Sequence, residues 1–148
     1  MVFVRGCYLP EELYYLIDAH VWALPIAGNL VRIGMTSVAV HLAGGRFTGI
    51  TVKTDSIGQE IKQGKSVAII ETSKYVGPIP SPVSGILVRG NDALNDDPNI
   101  VLGDPYEEGW IAEMMTTNWE VERSGLVTGA EAIDLYKAKL EAEGIRCP

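Results

Sequence analysis

The spacing of apolar and polar positions changes along the chain. Pro10-Glu11-Glu12-Leu13-Tyr14-Tyr15-Leu16-Ile17 puts a proline early, acids next and apolar residues after them, which predicts a short helix. Leu30 to Met35 alternates as a strand does. Thr36 to Ala43 follows as a helix, with Thr36 as its N-cap and Gly44-Gly45 as its stop. From Gly49 the pattern becomes short strands broken by turns: Ile50 to Val52, a turn over Asp55 to Gly58, another over Ile61 to Lys65, then Val67 to Ile70. Gly85-Ile86-Leu87-Val88 repeats the theme of Gly49-Ile50-Thr51-Val52. Trp110-Ile111-Ala112 repeats Val67-Ala68-Ile69 after a longer segment through Asn91 to Glu108. Two weakly similar β halves of this kind bury their apolar faces by closing into a flattened barrel or sandwich. At the far end Thr128-Gly129-Ala130-Glu131 has the form of a capping box. Ile133, Tyr136 and Leu140 then recur at helical spacing, and Gly144 closes the helix.

The two halves meet at Glu71-Thr72-Ser73-Lys74, just before the rigid stretch Gly77-Pro78-Ile79-Pro80-Ser81-Pro82. A strand enters and a strand leaves, so Ser73-Lys74 falls where the chain reverses. Tight hairpins favour Asn-Gly, Asp-Gly or a glycine at the corner, because those residues accept positive φ. Ser73-Lys74 is poor turn chemistry, so something other than the turn selects the lysine. One reading is an attachment point for a swinging cofactor. The plainer reading is a solvated lysine at an ordinary loop tip.

Composition narrows the classes. At 148 residues and 16.0 kDa, residues 1–148 are expected to form one domain with a real core. No run approaches the ~18 to 20 apolar residues of a membrane span. Polar residues follow too soon after Met1-Val2-Phe3-Val4 for a signal peptide, so the expected location is the cytoplasm. A net charge of −7 repels a phosphate backbone and argues against nucleic acid. It fits partners with basic docking faces, and solubility alone explains it equally well. The two cysteines, Cys7 and Cys147, form no C-x-x-C or Cys/His cluster that could hold zinc. In a reducing compartment the default is two free thiols; a bridge between the chain ends stays open.

Other candidate chemistry is weak. Gly58 to Ser66 resembles a phosphate-binding loop, but five residues separate its glycines instead of four and a strand follows in place of a helix. His20 reads as packed or cleft-lining and His41 as surface or satisfied core. No nucleophile elbow, metal triad or paired carboxylates stand out, so a stand-alone enzyme is not expected.

Taken in order, five motifs from His20 to Trp110 resemble the H-protein family of the glycine cleavage system. They are His20-Val21-Trp22; Gly34-Met35-Thr36-Ser37-Val38-Ala39; Glu71-Thr72-Ser73-Lys74; Ser81-Pro82-Val83-Ser84-Gly85; and Asp104 to Trp110, with Glu107 where the family has glycine. The resemblance implies a mainly β barrel-sandwich hybrid with flanking N- and C-terminal helices. It implies lipoate in amide linkage to Lys74, with Glu71, Thr72, Ser73 and Tyr75 as the recognition turn. Ser73 and Tyr75 stand where a biotin carrier has methionines. Tyr75 to Pro80, the opening Val2 to Cys7, and Leu126 to Gly129 look more like the lipoate-binding proteins of a cytoplasmic sulfur-oxidising pathway. That branch implies a monomeric shuttle for sulfur intermediates and electrons. Its partners would be a lipoate-attaching enzyme, a heterodisulfide-reductase-like complex and a dihydrolipoyl dehydrogenase-type enzyme. The alternatives are an H protein moving the aminomethyl group of glycine among glycine cleavage enzymes, or an unlipoylated interaction protein.

Overall fold

Residues 2–148 are described by a computed structural model. The chain opens with strands β1 (Phe3–Val4), β2 (Cys7–Tyr8) and β3 (Tyr14–Leu16), then β4 (Val21–Ala27) and β5 (Leu30–Met35). Helix α1 (Ser37–Ala43) leads to β6 (Phe47–Val52), β7 (Glu60–Ile61), β8 (Ser66–Thr72), β9 (Val76–Pro80) and β10 (Gly85–Gly90). Short helices α2 (Ala93–Asp96) and α3 (Ile100–Gly103) precede β11 (Ala112–Thr116). Helix α4 (Trp119–Glu122), β12 (Val127–Thr128) and α5 (Gly129–Glu143) complete the order.

A seven-stranded sheet runs β12-β3-β4-β5-β11-β10-β7, and a three-stranded sheet runs β6-β8-β9. One apolar cluster joins them: Ile50, Val67, Ile70 and Ile79 from the smaller sheet meet Val31, Ile33, Leu87 and Met114 from the larger. The chain is therefore mainly β, with the expected paired halves. β6 pairs antiparallel with β8 and β10 with β11, and both pairings carry a register shift, at Phe47/Gly49 and at Leu87/Arg89.

A second cluster lies on the outer side, where Ala132, Tyr136 and Leu140 of α5 cover Leu9, Leu13, Tyr15, Trp22 and Tyr106. β4 separates the two clusters, since successive strand residues point to opposite faces: Val21 and Ala23 belong to the inner one and Trp22 to the outer. Trp22 is directly across from Gly34, and its indole Nε1 donates to the Met35 carbonyl at 2.8 Å. A β-carbon at Gly34 would stand 2.5 Å from the ring, so the glycine lets the indole lie flat on β5.

Several local expectations are corrected. Pro10 to Ile17 is a turn followed by β3 and a 3-10 turn over Ile17–Ala19, so no N-terminal helix flanks the core. Tyr14, Tyr15 and Leu16 pair with Ala23, Trp22 and Val21, and the buried Tyr15 hydroxyl donates to the Pro10 carbonyl at 2.6 Å. That pairing satisfies the backbone and buries an aromatic ring that a lone helical turn would leave in water. The second-half strand starts at Ala112, although the Ile111 amide already donates to the Ile33 carbonyl at 2.9 Å. The capping box does not form either. Thr128 belongs to β12, and its hydroxyl donates to the Leu13 carbonyl at 2.7 Å instead of capping α5.

The cysteines are not free thiols. Cys7 and Cys147 are joined across 140 positions, with their Cα atoms 4.9 Å apart. The chain ends are already docked, because the Cys147 amide donates to the Arg5 carbonyl at 2.9 Å and Arg5 Nε donates to the Ile145 carbonyl at 2.8 Å.

The Gly34–Trp22 contact predicts that Gly34→Ala destabilises the fold by about 1 to 3 kcal/mol through overpacking. Urea unfolding should show a lower midpoint with an unchanged slope.

Candidate functional site

The β8–β9 hairpin turns through Ser73-Lys74. The Thr72 amide donates to the Tyr75 carbonyl at 2.8 Å, and Glu71 pairs with Val76 below it. Neither corner residue has positive φ, which among the described non-glycine residues is confined to Arg5 and His20. The turn is closed by a side chain instead. Thr72 is buried, and its Oγ1 accepts from the amides of Lys74 at 3.2 Å and Tyr75 at 3.1 Å. The same hydroxyl donates to the Ala43 carbonyl at 2.8 Å, tying the turn to the last residue of α1.

Helix α1 places that carbonyl. Its N-cap is Thr36, whose Oγ1 accepts from the Ala39 amide at 3.2 Å, and it ends at Gly44 in the left-handed conformation. Gly44 and Gly45, at φ 73° and 119°, lie in the left-handed region that favours glycine. They also leave room for the turn. The Lys74 Cδ lies 3.5 Å from where a β-carbon at Gly44 would stand, and the Ser73 Oγ lies 3.4 Å from the same point at Gly45.

Lys74 is exposed, and among the described residues no carboxylate pairs with it. Tyr75 beside it is 46% exposed, so the ring is accessible to a partner. It borders an apolar cavity of about 250 Å³, whose walls include His20, Met35, Leu42, Pro78 and Pro80. The structure thus brings Thr72, Ser73, Lys74 and Tyr75 together. Glu71 stands apart on the outer face of β8, exposed, with its side chain toward Gly49. The cavity walls come from four separate segments, and no local pattern marks Leu42, Pro78 or Pro80 as neighbours. Of the walls, the sequence singles out His20 and Tyr75 by name.

His20 has φ 55°, and its Nδ1 lies 3.2 Å from the Tyr136 hydroxyl. Burial pushes its pKa below the ordinary 6.5, and the Lys139 charge adds to this, outweighing Glu143 and Asp18. The cavity wall is accordingly uncharged at neutral pH. The last motif, Asp104 to Trp110, is structural. Burial pushes the Asp104 carboxyl up, but amide hydrogen bonds from Glu108, Glu107 and Tyr106 outweigh it and leave the pKa lowered. The turn delivers Tyr106, whose hydroxyl accepts from the Ser37 amide at 2.9 Å and donates to the Tyr8 carbonyl.

A hairpin-tip lysine on paired β halves is the arrangement of a carrier for a tethered group, and comparison with known proteins defines the class. Residues 13–139 match the model of the glycine cleavage H-protein family. Glycine cleavage system H protein 5 of Aquifex aeolicus is 41% identical over 151 residues, covering 99% of both chains. The probable glycine cleavage system H protein 2 of Sulfolobus acidocaldarius is 36% identical, covering 99% of this chain and 97% of that one. The crystal structure of a glycine cleavage system H protein from Mycobacterium marinum superposes with a TM-score of 0.69 at 28% identity, over 93% of this chain and all of that one. The chain belongs to the glycine cleavage H-protein family. Members of this family are carriers rather than catalysts, and they hold lipoate covalently on a lysine.

Two outcomes follow from this geometry. Thr72→Val keeps the shape but strands the Ala43 carbonyl and two turn amides, so it should cost about 1 to 3 kcal/mol. Hydrogen exchange at Lys74 and Tyr75 should quicken, while Thr72→Ser should behave as wild type. The unfolded chain takes up a proton at His20 more readily than the folded one, so stability falls as pH drops through 6.5 toward the lowered folded value. His20→Asn tolerates the left-handed backbone and should flatten the dependence of melting temperature on pH between about 7 and 5, close to the ordinary histidine range.

Proposed function

We propose that Lys74 carries lipoate through an amide at Nζ, and that the chain hands a tethered group among partner enzymes. The observation that carries this reading is an exposed lysine without an ion pair, held at a hairpin tip by the Thr72 hydroxyl. The residues present fit the group. Amidation takes the formal net charge from −7 to −8 and turns the tip into an apolar chain, and an uncharged apolar cavity opens beside Tyr75. Lipoate, when bound, supplies thiol–disulfide chemistry for cargo transfer and two-electron exchange.

Each residue then has a task. Thr72 fixes where the arm leaves the body. Tyr75 and Leu42 offer the arm a sheltered side and face an incoming partner. Neutral His20 keeps the cavity floor free of charge. The lysine–lipoyl chain reaches on the order of 15 Å, so separate partner sites are visited while the body stays docked and the cargo stays at high local concentration.

The favoured cargo is the aminomethyl group of glycine, since the relatives are named as glycine cleavage H proteins. The partners would be glycine cleavage enzymes and a lipoate-attaching enzyme. A sulfur cargo, with a heterodisulfide-reductase-like complex and a dihydrolipoyl dehydrogenase-type enzyme as partners, is the second reading. Two observations favour it. The Tyr75-Val76-Gly77-Pro78-Ile79-Pro80 stretch departs from the polar run usual after the lysine, and Aquifex aeolicus relatives carry the numbers 2, 3 and 5. An organism with several such chains has room for one with another cargo. A monomeric, one-domain protein of the cytoplasm is part of this proposal; no described helix is long and apolar enough to cross a membrane.

Incubation with lipoate, ATP and a lipoate–protein ligase should add one lipoyl group by intact mass and none to Lys74→Arg. A wild type that stays unmodified overturns the proposal and favours a bare interaction protein. The lipoylated chain, given glycine decarboxylase and labelled glycine, should then gain label on the arm. A lipoylated chain that stays unlabelled moves the assignment to the sulfur cargo.

A further inference from the structure

The turn bearing Lys74 and the disulfide lie at opposite ends of one short helix. Lys74 packs against Gly44, which follows the C-terminus of α1. At the other end, the Cys147 Sγ lies 3.9 Å from the carbonyl of Ser37, the first residue of α1. The helix is seven residues long, which corresponds to about 10 Å of axis. An open groove of about 720 Å³ runs beside it, with Gly45 and Arg46 in its wall at the Lys74 end, Ser37, Tyr8 and Cys147 at the other, and His41 between. The reach of a lipoylated lysine, on the order of 15 Å, exceeds the length of that helix.

We propose that Cys7–Cys147 is a second dithiol–disulfide couple, which exchanges electrons with the dithiolane carried on Lys74. This rests on the carrier assignment above and extends it to a site on the body of the protein. In the exchange the Cys7–Cys147 bond breaks, and an S–S bond closes in the carried ring. Two electrons and two protons pass from the carried dithiol to the cysteines, which both end as thiols. The disulfide is oxidised at the start and reduced at the end, so no outside oxidant is needed for this step.

Accessibility sets the direction of attack. Cys147 is partly exposed and lines the groove, whereas Cys7 is 0% exposed. Cys147 Sγ is therefore the sulfur attacked, and Cys7 leaves as the thiolate and takes up a proton. The reduced form keeps its fold at this corner. The Arg5 Nε to Ile145 and Cys147 to Arg5 hydrogen bonds hold the chain end on the β1–β2 hairpin without the S–S bond. The two thiols thus stay together and can close again. The linkage also makes the exchange intramolecular, so its rate does not depend on protein concentration.

Dihydrolipoyl dehydrogenase with NADH reduces the arm and provides the test. Intact mass first establishes that the chain is lipoylated. NADH is then added, thiols are trapped with N-ethylmaleimide, and peptides bearing Cys7 and Cys147 are read by mass spectrometry. Lipoylated wild type should label at both cysteines and consume about two equivalents of NADH per chain, one for each disulfide couple. Unlipoylated wild type should label at neither, and the lipoylated Cys7→Ser/Cys147→Ser variant should consume about one equivalent. Arm reduction with the cysteines unlabelled overturns the exchange and leaves the carrier assignment standing. Equal labelling without lipoate also overturns it, as does equally fast labelling when unlipoylated wild type is mixed with the lipoylated double-serine variant. A chain that takes up no lipoyl group overturns both proposals.

Discussion

A single hydroxyl, Thr72 Oγ1, joins three parts of this protein. It accepts from two turn amides and donates to the last carbonyl of α1. Hairpins with poor corner residues normally lose definition, because the backbone must find its own closure. Here the closure is supplied from within the buried row of β8, where Thr72 continues the inward side of the strand after Ile70. The tip therefore inherits the rigidity of the core, while Ser73 and Lys74 remain in solvent. That combination suits a tether. The anchor must be fixed so that a partner can find it, and the nitrogen must be free so that it can be acylated.

The rigidity has to come from below. The first half of β4 is buried on both faces, with one cluster against the small sheet and the other beneath α5, and β5 adds Val31, Ile33 and Met35 to the inner one. Such strands cannot slip by one residue without exchanging the two clusters. On the larger sheet, Glu113 is buried and bridged by Arg32 and Arg89, which both lie over the Trp110 ring. A carboxylate in that position is tolerable because both oxygens are engaged. It also pins β5, β10 and β11 to one another, since each contributes a charged partner. Ser84 plays a similar part just before β10. Its amide and hydroxyl both donate to Glu122, while the hydroxyl accepts from the Gln63 amide.

What the sequence reveals follows the range of the interactions concerned. Helix α1, the hairpin with its lysine and the paired β halves are written in residues a few positions apart, and these are legible. The capping box is just as local, yet it fails, because Thr128 finds a better acceptor in Leu13, 115 positions away. Tyr14 to Leu16 carries helix-like punctuation from Pro10 and the two glutamates. Pairing with β4 overrides it. The Cys7–Cys147 bond depends on the docking of the two chain ends, which composition cannot show. The cavity beside Tyr75 is assembled from Ala19 to Val21, Met35, α1 and β9, and only the fold brings these together. The departure from glycine at Glu107 proves harmless for a visible reason. The turn is held by Asp104 accepting backbone amides, which any residue but proline supplies at 107.

Helix α1 has the part of a spacer. Its C-terminal end is fixed to the lysine turn through Ala43. Its N-terminal end is fixed by Tyr106 to Ser37, and the Cys147 sulfur lies against the Ser37 carbonyl. A helix this short holds a constant length because both ends are hydrogen-bonded to neighbouring elements. On one flank it borders the small cavity at Tyr75, and on the other the larger groove that ends at the disulfide. A tether anchored at Lys74 can therefore lie to either side of the same helix. On the first side it would meet mostly apolar, uncharged walls. On the second it meets sulfur. Under the exchange proposed above, the choice between storage and electron transfer becomes a rotation of the arm about one fixed anchor, with no rearrangement of the body required.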